Sequence, residues 1–155
     1  MAERGVGVVD PEAAWSALTG PANALLIDVR SQAEWTFVGL PDLSSTGASP
    51  SLIEWQSFPT MTPNPGFAEE ALGAIARVGA TEVYFLCRSG ARSMHAALTT
   101  AEALTAAARG ADADGGEGAV RCFNVAEGFE GDLDGGGKRG AVNGWKARGL
   151  PWRQS

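Results

Sequence analysis

The sequence contains few residues of the kinds that build disulfide frameworks and zinc sites. Its 155 residues include two cysteines, Cys87 and Cys122, and one histidine, His95. Two cysteines are too few for a disulfide framework, and a zinc site normally takes about four nitrogen or sulfur ligands. We therefore expect no metal site, and we expect reduced thiols in a cytoplasmic protein.

Basic residues and long apolar runs are scarce as well. Lysine and arginine number 12 against 18 acidic residues, so the formal net charge is −6. Because nothing resembles a basic stripe, we expect no nucleic-acid partner. No apolar stretch approaches the roughly 20 residues that cross a bilayer. The N-terminus, with Glu3, Arg4 and Asp10, also lacks the apolar core of a signal peptide. We therefore expect no membrane partner.

The residues that are present are typical of one globular domain over residues 1–155. Hydrophobic residues make up 45% of the chain and charged residues 19%. Apolar runs that predict strands alternate with segments that predict helices. The predicted strands cover 6–9, 24–29, 83–86 and 120–125, and the predicted helices cover 12–18, a short segment after 31, 67–78, and a segment that ends near 108.

Local signals mark where several of these elements begin. Asp10 and Pro11 supply a cap and a first-turn proline. Ser31 and Glu34 have the spacing of a capping box. The apolar stripe expected on the helix over 67–78 consists of Phe67, Ala71, Ile75 and Val78.

Three segments do not follow the alternation. We expect residues 38–66 to form a long irregular excursion with one short strand near 52–58. Residues 110–118, rich in glycine and aspartate, predict a solvated loop. Residues 128–155 predict an irregular, glycine-rich segment that is folded back onto the domain by Trp145 and Trp152.

Strands separated by helices predict a parallel α/β sheet with helices on both faces. Such sheets bind ligands at the carboxyl ends of their strands. Cys87 follows one predicted strand, and Asp28-Val29-Arg30 ends another. We therefore expect these two segments to be neighbours.

Cys87 has the surroundings of a reactive thiol. It ends the apolar run over 83–86 and begins a glycine-containing loop that leads into a helix. Arg88 and Arg92 flank it and would attract a small anion. Inward-pointing backbone N–H groups, a helix N-terminus and nearby cations all favour the thiolate, which is the nucleophilic form. Cys122, next to Phe123 in a predicted strand, is interpreted instead as an inert core residue.

Six motifs extend over nearly the whole chain in a fixed order. They are Leu26-Ile27-Asp28-Val29-Arg30, Glu34-Trp35, Leu40-Pro41, Cys87-Arg88-Ser89-Gly90-Ala91-Arg92-Ser93, Glu127-Gly128-Phe129 and Gly149-Leu150-Pro151. Together they resemble the rhodanese family of sulfurtransferases.

The resemblance implies a rhodanese-like fold and a thiosulfate or persulfide sulfurtransferase. Cys87 would accept a sulfane sulfur as a persulfide and pass it to a thiophilic acceptor. The backbone N–H groups of the loop would hold the negative charge of the outer sulfur. The residues of this cradle are Arg88, Ser89, Gly90, Ala91, Arg92 and Ser93. No metal or organic cofactor is implied, and the partners would be a small anionic donor such as thiosulfate and, in addition, a protein sulfur donor or acceptor.

Three residues are expected to support the site through a polar cluster. These are Asp28, Arg30 and Glu34. Arg30 and Glu34 are four residues apart, a spacing that allows an ion pair on a short helix.

The sequence departs from the family pattern at two places. Gly39 stands where a histidine is usual in the family. A long stretch over 132–143 precedes Trp145 and resembles an insertion relative to compact single-domain members. We expect this insertion to lie near the site and to tune access to it.

Two other functions remain open from the sequence. Cysteine phosphatases have an arginine six residues after the cysteine, whereas here that position is Ser93 and the arginine is Arg92. The shorter loop argues against binding of a tetrahedral phosphate. A persulfide carrier or regulatory module that docks to a partner protein is the stronger alternative.

Overall fold

A parallel sheet forms the centre of the computed structural model, which describes residues 5–110 and 119–154. In these ranges the strands are β1 (Val6–Val9), β2 (Ala24–Asp28), β3 (Leu40–Pro41), β4 (Ser51–Leu52), β5 (Gln56–Ser57), β6 (Thr62–Pro63), β7 (Glu82–Leu86), β8 (Arg121–Val125) and β9 (Trp152–Arg153). The α-helices are α1 (Pro11–Thr19), α2 (Gln32–Phe37), α3 (Phe67–Val78), α4 (Ala91–Gly110) and α5 (Gly144–Ala147), and a 3₁₀ helix covers Ser44–Thr46.

The central sheet has the strand order β1-β8-β7-β2-β4, and every neighbouring pair is parallel. Residues alternate between its two faces. Leu25 and Ile27 belong to one buried cluster with α3 and α4, whereas Leu26 belongs to a second cluster with Ala14 of α1 and with Trp145. Helices therefore cover both faces, which confirms the predicted α/β class and explains why the strands are apolar at successive positions.

The local signals for the starts of α1 and α2 are confirmed. Asp10 accepts a hydrogen bond from the Ala13 N–H at 2.8 Å, and Ser31 with Glu34 forms a capping box. α3 spans the predicted residues, but the expected stripe is wrong at its end, since Val78 is 48% exposed. Val78 is the last residue of the helix, and after the turn at Gly79 the buried position is taken by Ala80.

The excursion over 38–66 contains more regular structure than expected. A single strand near 52–58 was the prediction, whereas β4 joins the edge of the central sheet and β5 forms a hairpin with β6. β3 pairs with β9, far away in sequence. Each of these strands has two residues, which is too short to show an alternating pattern.

The C-terminal segment packs against the domain, and it contains α5 and β9 where an irregular segment was expected. Trp145 of α5 is fully buried, and its indole N–H donates to the carbonyl of Pro151 at 2.7 Å. Trp152 of β9 is partly exposed and pairs with Pro41 of β3. The loop expected over 110–118 lies, beyond Gly110, outside the described residues.

No helix within the described ranges is both long enough and apolar enough to span a membrane.

Candidate active site

Cys87 lies immediately after β7 and four residues before the first residue of α4. Its side chain is buried, and the Gly90 N–H donates a hydrogen bond to Sγ at 3.0 Å. The loop therefore curls around the sulfur and directs a backbone donor at it. Strand β2 runs parallel to β7, and the Val29 N–H donates to the carbonyl of Leu86 at 2.8 Å. The segments of Asp28 and Cys87 are neighbours, as the sequence predicted.

The first turn of α4 contributes to the same place. Ala91, Arg92 and Ser93 are its first three residues. The first N–H groups of a helix have no carbonyl partner within the helix, and they carry the positive end of its dipole. The cysteine thus lies at the N-terminus of a 20-residue helix.

A side-chain network that the sequence did not indicate surrounds the sulfur. Ser93 Oγ lies 3.2 Å from Cys87 Sγ and donates to Asn124 Oδ1 at 2.5 Å. Asn124 belongs to β8, and its amide N–H donates to the carbonyl of Gly90 at 3.1 Å. Ser93 was expected to contribute only its backbone. Asn124 gave no signal because its contact with Ser93 connects positions 31 residues apart.

A turn after β8 holds the outer side of the cysteine loop. The N–H of Phe129 donates to the carbonyl of Cys87 at 2.8 Å, and those of Glu130 and Gly131 donate to the carbonyl of Arg88 at 3.0 and 3.1 Å. These bonds fix the backbone of Cys87 and Arg88, next to the Gly90 N–H that donates to the sulfur. This turn approaches the loop at Gly128, which has a φ of +70°.

Arg92 and Glu34 form a two-pronged ion pair across the site. Both joining distances between guanidinium nitrogens and carboxylate oxygens are 2.8 Å. Burial raises the pKa of Glu34, but the hydrogen bonds from Arg92 and Ser31 outweigh it and lower that pKa to about 2. The hydrogen bonds that Arg92 donates to Glu34 raise the pKa of Arg92. The charge of Arg92 is therefore compensated by the Glu34 carboxylate. Arg88, by contrast, is exposed to solvent.

The predicted pair between Arg30 and Glu34 is wrong. Arg30 is fully buried and binds Asp28, with its Nη2 2.7 Å from Oδ2 and its Nε 2.9 Å from Oδ1. It precedes the cap of α2, so its side chain does not follow the helical spacing. The guanidinium also donates to the carbonyl of Gly39 and lies 4.2 Å from the Phe129 ring centre. Asp28 and Arg30 are thus joined to each other, whereas Glu34 pairs with Arg92.

At Gly39, where the family pattern has a histidine, the tail occupies the available space. A Cβ atom added there would lie 2.9 Å from the Trp152 ring and 2.9 Å from the carbonyl oxygen of Arg153. Pairing of β3 with β9 produces this close approach. A side chain at position 39 would therefore collide with Trp152 and Arg153 in their present positions.

A cavity of about 680 Å³ opens beside Arg88 and Arg92. Leu133, Gly137 and Arg139 of the 132–143 segment line it. The segment therefore borders the candidate site.

Cys122 and His95 lie in less reactive surroundings. Burial raises the pKa of Cys122 to about 12, so its thiol stays protonated at neutral pH. His95 is exposed on α4. Within residues 5–110 and 119–154, no group of three or more histidine, cysteine, aspartate or glutamate side chains is placed to hold a metal ion.

The chain has relatives in rickettsiae. The uncharacterized protein RP600 of Rickettsia prowazekii is 34% identical over 131 residues, which are 84% of this chain and 84% of the relative. The RP600 homolog of Rickettsia rickettsii is 31% identical over 140 residues, which are 90% of this chain and 91% of the relative. No protein-family model matches the chain.

Solved structures share the fold. The crystal structure of Rv0390 from M. tuberculosis is 42% identical, with a TM-score of 0.75 and coverage of 97% of this chain and 98% of that one. The solution structure of the 30 kDa polysulfide-sulfur transferase homodimer from Wolinella succinogenes is 20% identical, with a TM-score of 0.51 and coverage of 97% and 80%. The fold is therefore rhodanese-like, and the second likeness concerns the fold alone.

Proposed function

We propose that this chain, which belongs to the same family as the rickettsial RP600 proteins, is a sulfurtransferase of the rhodanese type that works through a persulfide on Cys87. The proposal depends above all on one observation. The sulfur lies at a strand end, accepts a hydrogen bond from the Gly90 N–H, and faces the N-terminus of α4. Fixed donors in this arrangement stabilise negative charge on sulfur without having to reorganise.

The proposed reaction has two steps. The Cys87 thiolate attacks the outer sulfur of thiosulfate, a bond forms between Sγ and that sulfur, and the sulfur–sulfur bond of thiosulfate breaks so that its electron pair leaves with sulfite. A thiophilic acceptor then attacks the outer sulfur of the persulfide and releases Cys87 as a thiolate. Sulfur moves at a constant oxidation level, so no external oxidant or reductant is needed.

The loop residues have distinct proposed roles. The backbone of Arg88, Ser89, Gly90, Ala91, Arg92 and Ser93 would hold the outer sulfur. Arg88, whose exposed guanidinium has no ion-pair partner among the described residues, would attract the anionic donor. Arg92 would act mainly through its pair with Glu34, which joins α4 to α2. Asp28 and Arg30 would support the floor of the site.

Two wider features belong to the same proposal. The two buried clusters lie on opposite faces of one sheet, which supports a single rhodanese-like domain over residues 1–155. The two described cysteines are both free, which suits a reducing compartment such as the cytoplasm.

A thiosulfate and cyanide assay tests the activity. We expect release of thiocyanate by the wild type and by Cys122→Ser, and loss of at least about a thousandfold in Cys87→Ser, because that variant lacks the nucleophile. Equal rates in Cys87→Ser and the wild type would refute the proposal. A protein that takes up one sulfur but does not turn over with small acceptors would instead be the carrier that docks to a partner protein.

A further inference from the structure

The turn after β8, residues 127–131, lies between the cysteine loop and the C-terminal segment. Its N–H groups donate to the carbonyls of Cys87 and Arg88. In addition, the carbonyls of Gly128 and Phe129 accept hydrogen bonds from N–H groups of α5 at 2.9 and 3.2 Å. The turn therefore connects α5 to the loop that carries the candidate nucleophile.

Glu127, the first residue of this turn, has a backbone conformation that needs support. Its φ is +70°, in the left-handed region that residues other than glycine rarely adopt. Such a conformation persists where the surrounding structure holds it. The support comes from the carboxylate of Glu127. Oε1 accepts from the Gly144 N–H and from Arg148 Nε, both at 2.9 Å, and Oε2 accepts from Arg148 Nη2 at 2.7 Å.

Glu127 also lies against the part of the loop that donates to the sulfur. A Cβ atom added at Gly90 would lie 3.6 Å from the backbone nitrogen of Glu127. Gly90 provides the N–H whose nitrogen is 3.0 Å from Cys87 Sγ. A displacement of Glu127 would therefore change the packing around the donor that stabilises charge on the sulfur.

We infer that Arg148 is a positioning residue for Cys87, because it fixes the Glu127 carboxylate and thereby the turn that holds the cysteine loop. The inference rests on the proposed persulfide chemistry at Cys87 and adds to it a residue of the C-terminal segment. Arg148 follows α5 immediately, and it acts on the sulfur through the turn.

The arrangement requires the planar fork of an arginine. While Nε and Nη2 of Arg148 bind both oxygens of Glu127, its Nη1 donates to Glu12 Oε1 at 2.6 Å. The Glu12 side chain is 64% exposed, against 20% for Glu127, so the pair with Glu127 is better shielded from solvent. The hydrogen bonds from Arg148 outweigh burial and lower the pKa of Glu127, which is therefore ionised at neutral pH. A lysine would keep the charge but would not bind both oxygens in one plane.

The pH dependence of Cys87 alkylation tests the inference in the folded protein. The rate constant for iodoacetamide at Cys87 is measured by peptide mass over a series of pH values, in the wild type and in Arg148→Gln. We expect the midpoint of the profile to rise by about 0.5–1 pH unit in the variant, because a displaced Gly90 N–H stabilises the thiolate less. The rate of persulfide formation at saturating thiosulfate should fall about 5–20-fold with little change in the KM.

Two further variants separate positioning from charge and from stability. Arg121→Gln is the matched control, because Arg121 also pairs with a carboxylate, that of Glu82, but at the start of β8 rather than after its end. It should leave the alkylation profile and the persulfide rate unchanged. Arg148→Lys keeps the charge without the fork, so its profile should remain shifted. Circular dichroism and urea denaturation establish that each variant is folded under the conditions of the assay.

A double-variant cycle tests whether Arg148 acts through Glu127. Glu127→Gln removes the charge of the carboxylate, and we expect it to shift the alkylation profile in the same direction as Arg148→Gln. If the two residues act as one unit, the double variant should show a shift no larger than that of the stronger single variant. Additive shifts would overturn the proposed route through Glu127.

The outcomes distinguish this inference from the proposed function. Wild-type profiles and persulfide rates in Arg148→Gln and Arg148→Lys would overturn the inference and leave the sulfurtransferase intact. If Arg148→Gln does not fold, the comparison of Arg148→Lys with the wild type decides in the same way. Failure of the wild type to take up sulfur would refute the proposed function, whereas the alkylation profiles would still show whether Arg148 positions the loop.

Discussion

Ser93 has one hydroxyl proton and two neighbours that can accept it. Its Oγ lies 2.5 Å from Asn124 Oδ1 and 3.2 Å from Cys87 Sγ. Because the amide nitrogen of Asn124 donates to Gly90, its oxygen is fixed as an acceptor. The hydroxyl therefore donates to Asn124 while Cys87 is a thiol, and it can turn toward the sulfur when negative charge develops there. Asn124 acts on the sulfur through Ser93 and is a positioning residue.

Removal of this hydroxyl should weaken catalysis without unfolding the protein. We expect Ser93→Ala to lower the rate of persulfide formation from thiosulfate about 10–100-fold, because the charged sulfur loses one donor. Asn124→Ala should have a smaller effect, about 3–10-fold, since it removes only the partner that orients the hydroxyl. Both rates are measured by quenching the reaction at a series of times and determining the fraction of persulfidated protein from its intact mass. Circular dichroism checks that the variants are folded.

Thr105→Ala is the control for these variants. It removes a hydroxyl that donates to the Ala101 carbonyl on an exposed part of α4. A wild-type rate in Ser93→Ala would show that the hydroxyl does not act on the sulfur.

At the scale of the elements, the turn after β8 and the cysteine loop are held together by hydrogen bonds between their backbones. At Gly128 an added Cβ would lie 2.5 Å from the carbonyl carbon of Arg88 and 2.5 Å from the carbonyl oxygen of Cys87. We expect Gly128→Ala to lower the free energy of unfolding by about 2–4 kcal/mol and to abolish sulfur transfer, because φ is positive and the contact is with backbone. Urea denaturation and the cyanide assay measure the two effects.

Gly135→Ala provides the comparison for the turn. An added Cβ at Gly135 meets nothing within 4 Å, so we expect a change within about 0.5 kcal/mol. If Gly128→Ala were as stable and as active as Gly135→Ala, the turn would not support the loop as described.

The link between α2 and α4 should make stability depend on acid pH. The pKa of Glu34 is lowered from 4.5 to about 2 in the folded protein. A lowered folded-state pKa means that the pair contributes stability in full above about pH 4.5, and that this contribution is lost as the pH falls toward about 2. At neutral pH we expect Glu34→Gln to lower the free energy of unfolding by about 1–2 kcal/mol, less than the full shift implies because solvent screens a partly exposed pair.

Urea denaturation at neutral pH and at a pH near 2, the pKa of Glu34 in the folded protein, checks this expectation. The difference between wild type and Glu34→Gln should shrink as the pH falls. Glu69→Gln, which removes an exposed carboxylate from α3, should show no such trend. A difference that stays constant with pH would contradict a stabilising ionised pair.

The sequence predicts elements best where the determinants are local. The capping box of Ser31 and Glu34 and the bounds of α3 depend on residues within one or two helical turns of each other. The partner of Glu34 could not be predicted, because it is Arg92, 58 positions away. Arg30 instead binds Asp28, only two residues before it. Helical spacing suggested a pair that the bend before α2 prevents.

For the molecule as a whole, the sheet brings the cysteine loop and the Asp28 segment together because β2 and β7 are parallel neighbours. Alternation of strands and helices is enough to predict this part of the site. The pairing of β3 with β9 was not predictable, because two-residue strands leave no pattern. The Trp152 ring beside Gly39 therefore appears only in the folded chain. The lining of the cavity beside Arg88 is likewise a property of the whole fold, since Phe37, Phe58 and Leu133 come from three separate segments.

The whole-molecule account has one central claim, which is that Cys87 carries a sulfane sulfur. The most direct measurement is the intact mass of the reduced protein after incubation with thiosulfate and desalting, with Cys87→Ser and Cys122→Ser treated in parallel. We predict a gain of one sulfur atom in the wild type and in Cys122→Ser, no gain in Cys87→Ser, and loss of the added sulfur as thiocyanate when cyanide is supplied. An unchanged wild-type mass with thiosulfate and with an organic persulfide donor, or an equal gain in Cys87→Ser, would contradict the claim.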